Sequence, residues 1–238
     1  MKKTPALRVN ERVLSSLQRR LRAVIDTVPA NQRELVFGGL APFEKRVQKP
    51  GKDELRSPAE VFVAAALVNR NRWTTVARRL QRFRKRFPKT RSFHQLLELV
   101  SPMNHKDVSE EVLGWAYSNR HNRPQLLKGL VKVFGAYRLQ LERRMGRRVT
   151  DYELLRSWAR EESPMTILDN VPGVGSKLVD WLMMFYGDVQ TVPYDVWSDR
   201  GLKRLGFGSP GEYASFIARL FSIPPHTLDK VFRYSRQP

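Results

Sequence analysis

The chain has no cysteine among its 238 residues. That excludes a disulfide, a cysteine nucleophile, and any zinc ion or iron–sulfur cluster held by thiolates. Acidic residues are scarce beside basic ones, 23 Asp and Glu against 43 Lys and Arg, which leaves a formal charge of +20. A charge so far from zero favours a polyanionic partner, without separating DNA from RNA or an anionic membrane. Long apolar runs are missing too. The longest, 61–68, is far too short to cross a membrane, and Arg8, Glu11 and Arg12 interrupt the start before an apolar core of signal-peptide length forms. These features point to a soluble intracellular protein. The four histidines, His94, His105, His121 and His226, are scattered without ligand spacing and are expected on the surface or in loops. No stretch sustains a period-two alternation, so the expected fold is all-α, without internal repeats or low-complexity linkers.

Helical periodicity is present along most of the chain. Val13, Leu17, Leu21, Val24 and Val28 fall on one face of a first amphipathic helix, with Arg19, Arg20 and Arg22 near its outer side. From 30 to 56 the signals are mixed, and the span reads as a connector with one short helix. Ser57, Pro58 and Glu60 then form a near capping box opening a helix that is apolar all round, hence buried. It breaks at 69–73 before a second helix over about 74–87. Eight basic residues lie between Arg78 and Arg91, and Leu80, Phe83 and Phe87 mark the buried face, which assigns the charges to the outer one. Such a run is either a solvated surface or a set of phosphate contacts. Short helices are expected over 92–101 and 107–116, then a polar, basic break at 117–124. A long helix over about 125–145 and another over about 151–160 come next, the latter capped by Thr150 or Asp151. Beyond 207 the pattern predicts a turn, a helix over 212–221, and a last helix after Pro224-Pro225.

The stretch 168–207 organises the rest. It holds a tight glycine turn, Pro172-Gly173-Val174-Gly175, with helical patterns on both sides. Glycine tolerates positive φ, and its missing side chain lets a ligand approach the backbone. The turn ends at the start of a helix, whose unpaired N–H groups attract an anion such as a phosphate. Lys177 lies in that helix's first turn, where a cation gains nothing from the helix dipole. Asp195 comes after Gly187 and Pro193-Tyr194, so both groups can face one cleft. Taken singly, the turn is an ordinary turn, Lys177 a solvated lysine and Asp195 a helix cap. Taken together, those readings require several independent coincidences.

The order PGVGSK, a helix, Gly187, then VPYD and the run Arg204-Leu205-Gly206-Phe207 resembles the helix-hairpin-helix DNA glycosylase superfamily, which includes endonuclease III and 8-oxoguanine DNA glycosylase. The missing cysteines and the VPYDV segment are more similar to the cluster-free 8-oxoguanine branch. The resemblance implies two helical subdomains, 1–54 with 190–238 and 55–189, the hairpin occupying 168–186 and the cleft lying between them. It implies that Pro172, Gly173, Val174, Gly175 and Ser176 bind a DNA phosphate, that Lys177 attacks the sugar, and that Asp195 assists. By position, Asn69, Arg70 and Asn71 match the loop that fills the gap left by an extruded base, although those residues also make an ordinary helix–helix turn. Tyr117 is a candidate wedge beside the lesion. Trp181, Tyr194 and Trp197 are candidates for a stacking face in the base pocket, against the alternative that aromatics at helical spacing pack in the core.

The function implied by the resemblance is a base-excision-repair glycosylase with β-lyase activity on damaged double-stranded DNA. An oxidised purine, 8-oxoguanine, is the first choice of substrate and an oxidised pyrimidine the second. A lysine at position 177 argues for the bifunctional type; the alternatives are a monofunctional glycosylase for alkylated or mismatched bases and a non-catalytic DNA-binding module. No cofactor, metal or iron–sulfur cluster is expected for the chemistry, and the hairpin carbonyls are a candidate seat for a structural monovalent cation. The protein is expected to be a monomer without membrane attachment. Its place would be the cytoplasm and nucleoid of a prokaryote, or the nucleus or an organelle of a eukaryote.

Overall fold

The computed structural model describes residues 11–37, 55–68, 71, 73–117, 122–184, 192, 196–207 and 212–235. Among them every regular element is a helix, so the fold is all-α. None of these helices is long and apolar enough to cross a membrane. The chain forms two compact units, Met1–Gly39 with Gln190–Pro238, and Leu40–Val189.

In the smaller unit the helix Glu11–Asp26 buries Leu17, Leu21 and Val24, spaced one turn apart as its apolar stripe requires. Val13, expected on that stripe, is 58% exposed, because it lies a turn before the first residue that joins the core. The mixed span after Pro29 does yield one short helix, Ala30–Phe37; 38–54 lie outside the described residues. Helix Val196–Arg204 packs against Pro225–Tyr234, and Gly201 permits the contact, since a Cβ there would run into the buried ring of Phe232. The Arg204-Leu205-Gly206-Phe207 run proves to be a helix stop. Gly206 takes a left-handed φ of 85°, its N–H donates to the Lys203 carbonyl and that of Phe207 to Leu202, at 3.0 and 2.9 Å. This is the Schellman pairing, which satisfies carbonyls that a helix end leaves orphaned. Arg20 donates to the Leu205 carbonyl at 3.1 Å, placing a cation where the helix dipole is negative.

The larger unit is built around Pro58–Val68, buried along almost its whole length as its apolar circumference predicts. The long helix Arg123–Met145, the basic helix Trp73–Arg86, and Phe93–Val100 all pack on it. Phe62 meets Phe93 and Phe134 with centroids 5.0 Å apart in each case, and Phe134 meets Trp158 at 5.2 Å. Glu60 is buried in this apolar setting at 4% exposure. It is compensated: Arg84 binds both its oxygens at 2.9 and 2.8 Å, and the Arg56 N–H donates to it at 2.8 Å. Arg84 therefore does not sit with the outer charges, as the periodicity of its helix suggests, but neutralises a carboxylate on a neighbouring helix.

Two further helix starts follow local chemistry. Ser92 with Gln95, and Thr150 with Glu153, form complete capping boxes. Thr150 is thus the cap of Asp151–Ala159. The Asp151 carboxylate instead accepts from the Phe93 N–H at 2.8 Å and from Arg138 at 2.9 Å, tying three helices together. The span 107–116 departs from the expected helix. A single turn, His105–Asp107, runs into a π-helical turn, Val108–Val112, closed by the Leu113 N–H on the Val108 carbonyl at 3.0 Å. Gly114 then turns the chain with φ of 65°, and 115–117 leave the helix altogether.

Candidate nucleic-acid interface

Two short helices, Pro164–Leu168 and Ser176–Met184, flank the glycine turn. Leu168 is fully buried and Val171 nearly so; Leu178, Val179 and Leu182 bury the facing side of the second helix. Inside the turn the Val171 N–H donates to Leu168, that of Val174 to Val171, and that of Leu178 to Gly175, at 2.9, 3.1 and 2.9 Å. Gly173 has φ of 86°, a conformation that L side chains rarely adopt.

Three contacts fix this turn on the larger unit. The Trp158 indole N–H donates to the Pro164 carbonyl at 3.1 Å, at the entry to the first helix. Gly129 of the long helix lies so close that a Cβ there would stand 2.6 Å from Val171 Cγ1. Gly173 is as close to Asn122, where a Cβ would meet the side-chain nitrogen at 2.7 Å. Seated in this way, the turn presents its other side to solvent. Pro172, Gly173, Gly175, Ser176 and Lys177 are exposed, and Val174 is half-buried against the core. Among the described residues nothing lies within 4 Å of a hypothetical Cβ on Gly175. The Leu178 and Val179 N–H groups of Ser176–Met184 bind the Gly175 carbonyl, at 2.9 and 3.2 Å. The helix thus starts on the exposed side of the turn, where its dipole favours an anion, and Lys177 lies in its first turn.

The other residues singled out in the sequence fare differently. Asn71 folds its side chain back, donating to the Leu67 carbonyl at 2.5 Å, so it ends the buried helix in this conformation. Tyr117 is half-buried. Trp181 is 7% exposed and belongs to the core of the larger unit. Trp197 is half-buried, with the Arg200 guanidinium 5.2 Å from its ring centroid. Asn69, Arg70, Tyr194 and Asp195 lie outside the described residues.

A groove of about 930 Å³ runs between Phe93–Val100 and the long helix, bordered by Leu97, Gly129, Lys132 and Gly135 and reaching Pro172. Lys128 on its wall donates to the carbonyls of Ser101 and Met103, which holds the two sides together.

One cluster does not follow from the sequence pattern. The guanidinium carbons of Arg79 and Arg123 lie 4.4 and 4.7 Å from the centroid of the Trp115 ring. Gly114 lies against Arg79 and Arg82, with a hypothetical Cβ 3.2 Å from Arg79 Nη1 and 3.3 Å from Arg82 Cδ. Burial lowers the Arg79 pKa from its usual value, and Arg82 and Arg78 lower it further. Burial does the same to Arg123, with Arg79 adding to it. Asn122, which touches Gly173, immediately precedes Arg123 in the chain, so this cluster and the glycine turn adjoin. Of the basic run, Arg84 and Arg86 are paired with Glu60 and Glu111.

Among the described residues no group of three or more His, Cys, Asp or Glu side chains is placed to hold a metal ion. Comparison with protein families, curated proteins and solved structures found no match.

Proposed function

We propose that the chain is a DNA glycosylase with β-lyase activity that removes an oxidised base from double-stranded DNA, 8-oxoguanine before an oxidised pyrimidine. The two compact units are then its two helical subdomains, and 164–184 acts as a helix-hairpin-helix. The observation that carries this function is the exposed turn 172–175 at the start of a helix whose first turn bears Lys177. A net charge of +20 supports a polyanionic partner.

A stacked base is out of reach of any side chain. The enzyme must extrude the nucleotide, at a cost of a few kcal/mol, offset by clamped phosphates and inserted side chains. The turn holds one phosphate on backbone N–H groups. The neutral amine of Lys177 attacks the sugar C1′, the bond from C1′ to the base nitrogen breaks, and the departing base takes up a proton. Asp195 stabilises the cationic sugar and moves protons. The C1′–O4′ bond of the resulting N,O-acetal then opens with a proton delivered to O4′, giving a protonated Schiff base; removal of a C2′ proton lets β-elimination break the C3′–O bond, nicking the strand 3′ to the lesion.

Duplexes carrying 8-oxoguanine, thymine glycol or a mismatch, scored for base release and for nicking without added alkali, test the proposal. The expected result is release of the oxidised base with a matching nick, lost in Asp195→Asn. Base release that yields a nick only after alkali would point to the water-activating type. Binding without either would leave a DNA-binding module.

A further inference from the structure

We infer that Arg79 and Arg123, both stacked on Trp115, form a second phosphate clamp that grips the backbone of a DNA strand next to the hairpin. The inference rests on the DNA-binding function proposed above and adds a site to it. Trp115 does not reach this position by helix periodicity. The π-helical turn and the left-handed Gly114 deliver it, and its backbone is pinned by its N–H on the Ser109 carbonyl at 2.8 Å and by the Ser109 hydroxyl on its own carbonyl at 3.1 Å. Gly114 is needed twice, for its φ and because a side chain there would press on Arg79 and Arg82.

The charges explain why such an arrangement calls for a ligand. Both guanidinium carbons lie over one ring, so they stand at most about 9 Å apart. Among the described residues neither group has a carboxylate within ion-pair distance, while Arg84 and Arg86 on the same helix as Arg79 do. Arg123 also opens the long helix, the end at which the dipole disfavours a cation. Cation–π contact with the indole offsets part of the repulsion and fixes the planar groups in place, but it leaves their N–H donors unspent. A phosphate oxygen is the partner that two fixed, unneutralised guanidinium groups fit best, because the fork of donors matches its geometry. A nucleic-acid strand suits the position better than a lone anion. The hairpin turn touches Asn122, the chain neighbour of Arg123, so the clamp and the turn can serve as two phosphate sites for one duplex.

The test is the double variant Arg79→Gln/Arg123→Gln, measured for affinity to an abasic-analogue duplex over a series of salt concentrations. Each lost phosphate contact should reduce the slope of log affinity against log salt by about 0.9, so the double variant should lose about 1.8 and bind at least roughly tenfold more weakly at low salt. Its thermal transition should stay at or above that of the wild type, since a repulsion is removed. A charge-matched control, Arg143→Gln/Arg144→Gln near the far end of the long helix, should change affinity less than about twofold. Unchanged affinity and slope in the clamp variant, or an equal loss in the control, would overturn the clamp while leaving the glycosylase proposal intact. A wild type that binds no duplex would overturn both, and capture on phosphatidylserine vesicles in place of DNA would assign the arginines to a membrane surface instead.

Discussion

Trp158→Ala is expected to destabilise the larger unit by about 3–5 kcal/mol, the range for deleting a large aromatic from a packed core. Trp158 is fully buried, stacks edge-on to Phe134, and is the largest side chain so placed. The loss has two parts that a second variant separates. Most of it comes from ring area and the cavity left behind. A smaller part comes from the indole N–H, which holds the Pro164 carbonyl at the entrance to the glycine turn. Trp158→Phe keeps much of the ring while removing the donor, and should cost about 1–2 kcal/mol. Urea titration measures both. In Trp158→Phe, hydrogen exchange should quicken at 164–175 more than elsewhere in the unit, since that donor anchors the turn specifically. Uniform exchange along the unit would mean that the turn is held by Val171 and Asn122 alone.

Glu60→Ala is the second large effect, about 3 kcal/mol. Removing one partner of a buried ion pair strands the other, at a cost of about 3–5 kcal/mol. Arg84 retains 18% side-chain exposure, so it can recover some hydration, which places the expectation at the lower end. The Arg56 N–H loses its acceptor as well. The double variant Glu60→Leu/Arg84→Leu should regain most of the loss, because neither charge remains to be desolvated. If Glu60→Ala alone cost less than about 1 kcal/mol in urea titration, the pair would be a bystander in the core.

The elements legible in the sequence are those set by local chemistry. The Thr150 cap, the apolar stripe at Leu17, Leu21 and Val24, and the all-apolar Pro58–Val68 helix depend only on neighbours a few residues away. The glycine turn is readable for the same reason: Gly173 needs its left-handed φ wherever the turn is placed. Long-range partners are not readable. Nothing in the charge pattern of the basic run tells Arg84 from its neighbours Lys85 and Arg86 until Glu60, on another helix, is folded against it.

The Trp115 cluster is hidden for a related reason. It depends on a π-helical turn and on Gly114, which interrupt the helical spacing expected over 107–116, and on Arg79 and Arg123 arriving from two other helices. Asn71 shows the reverse case. Its place in the loop suggests a role toward a ligand, and a carbonyl one turn back in the chain takes its side chain first. Of the two residues assigned to the chemistry, Lys177 stands on the turn where the sequence places it, and Asp195 lies outside the described residues.

Covalent attack by Lys177 on the sugar of a damaged nucleotide is the centre of the proposed function. Its most direct measurement is borohydride trapping of the wild type and of Lys177→Gln on an 8-oxoguanine duplex and on an abasic duplex, with binding of each measured in parallel. The expected result is a protein–DNA adduct with the wild type, and none with Lys177→Gln although it still binds. No adduct from a wild type that binds both duplexes, or an adduct that survives in Lys177→Gln, would contradict it.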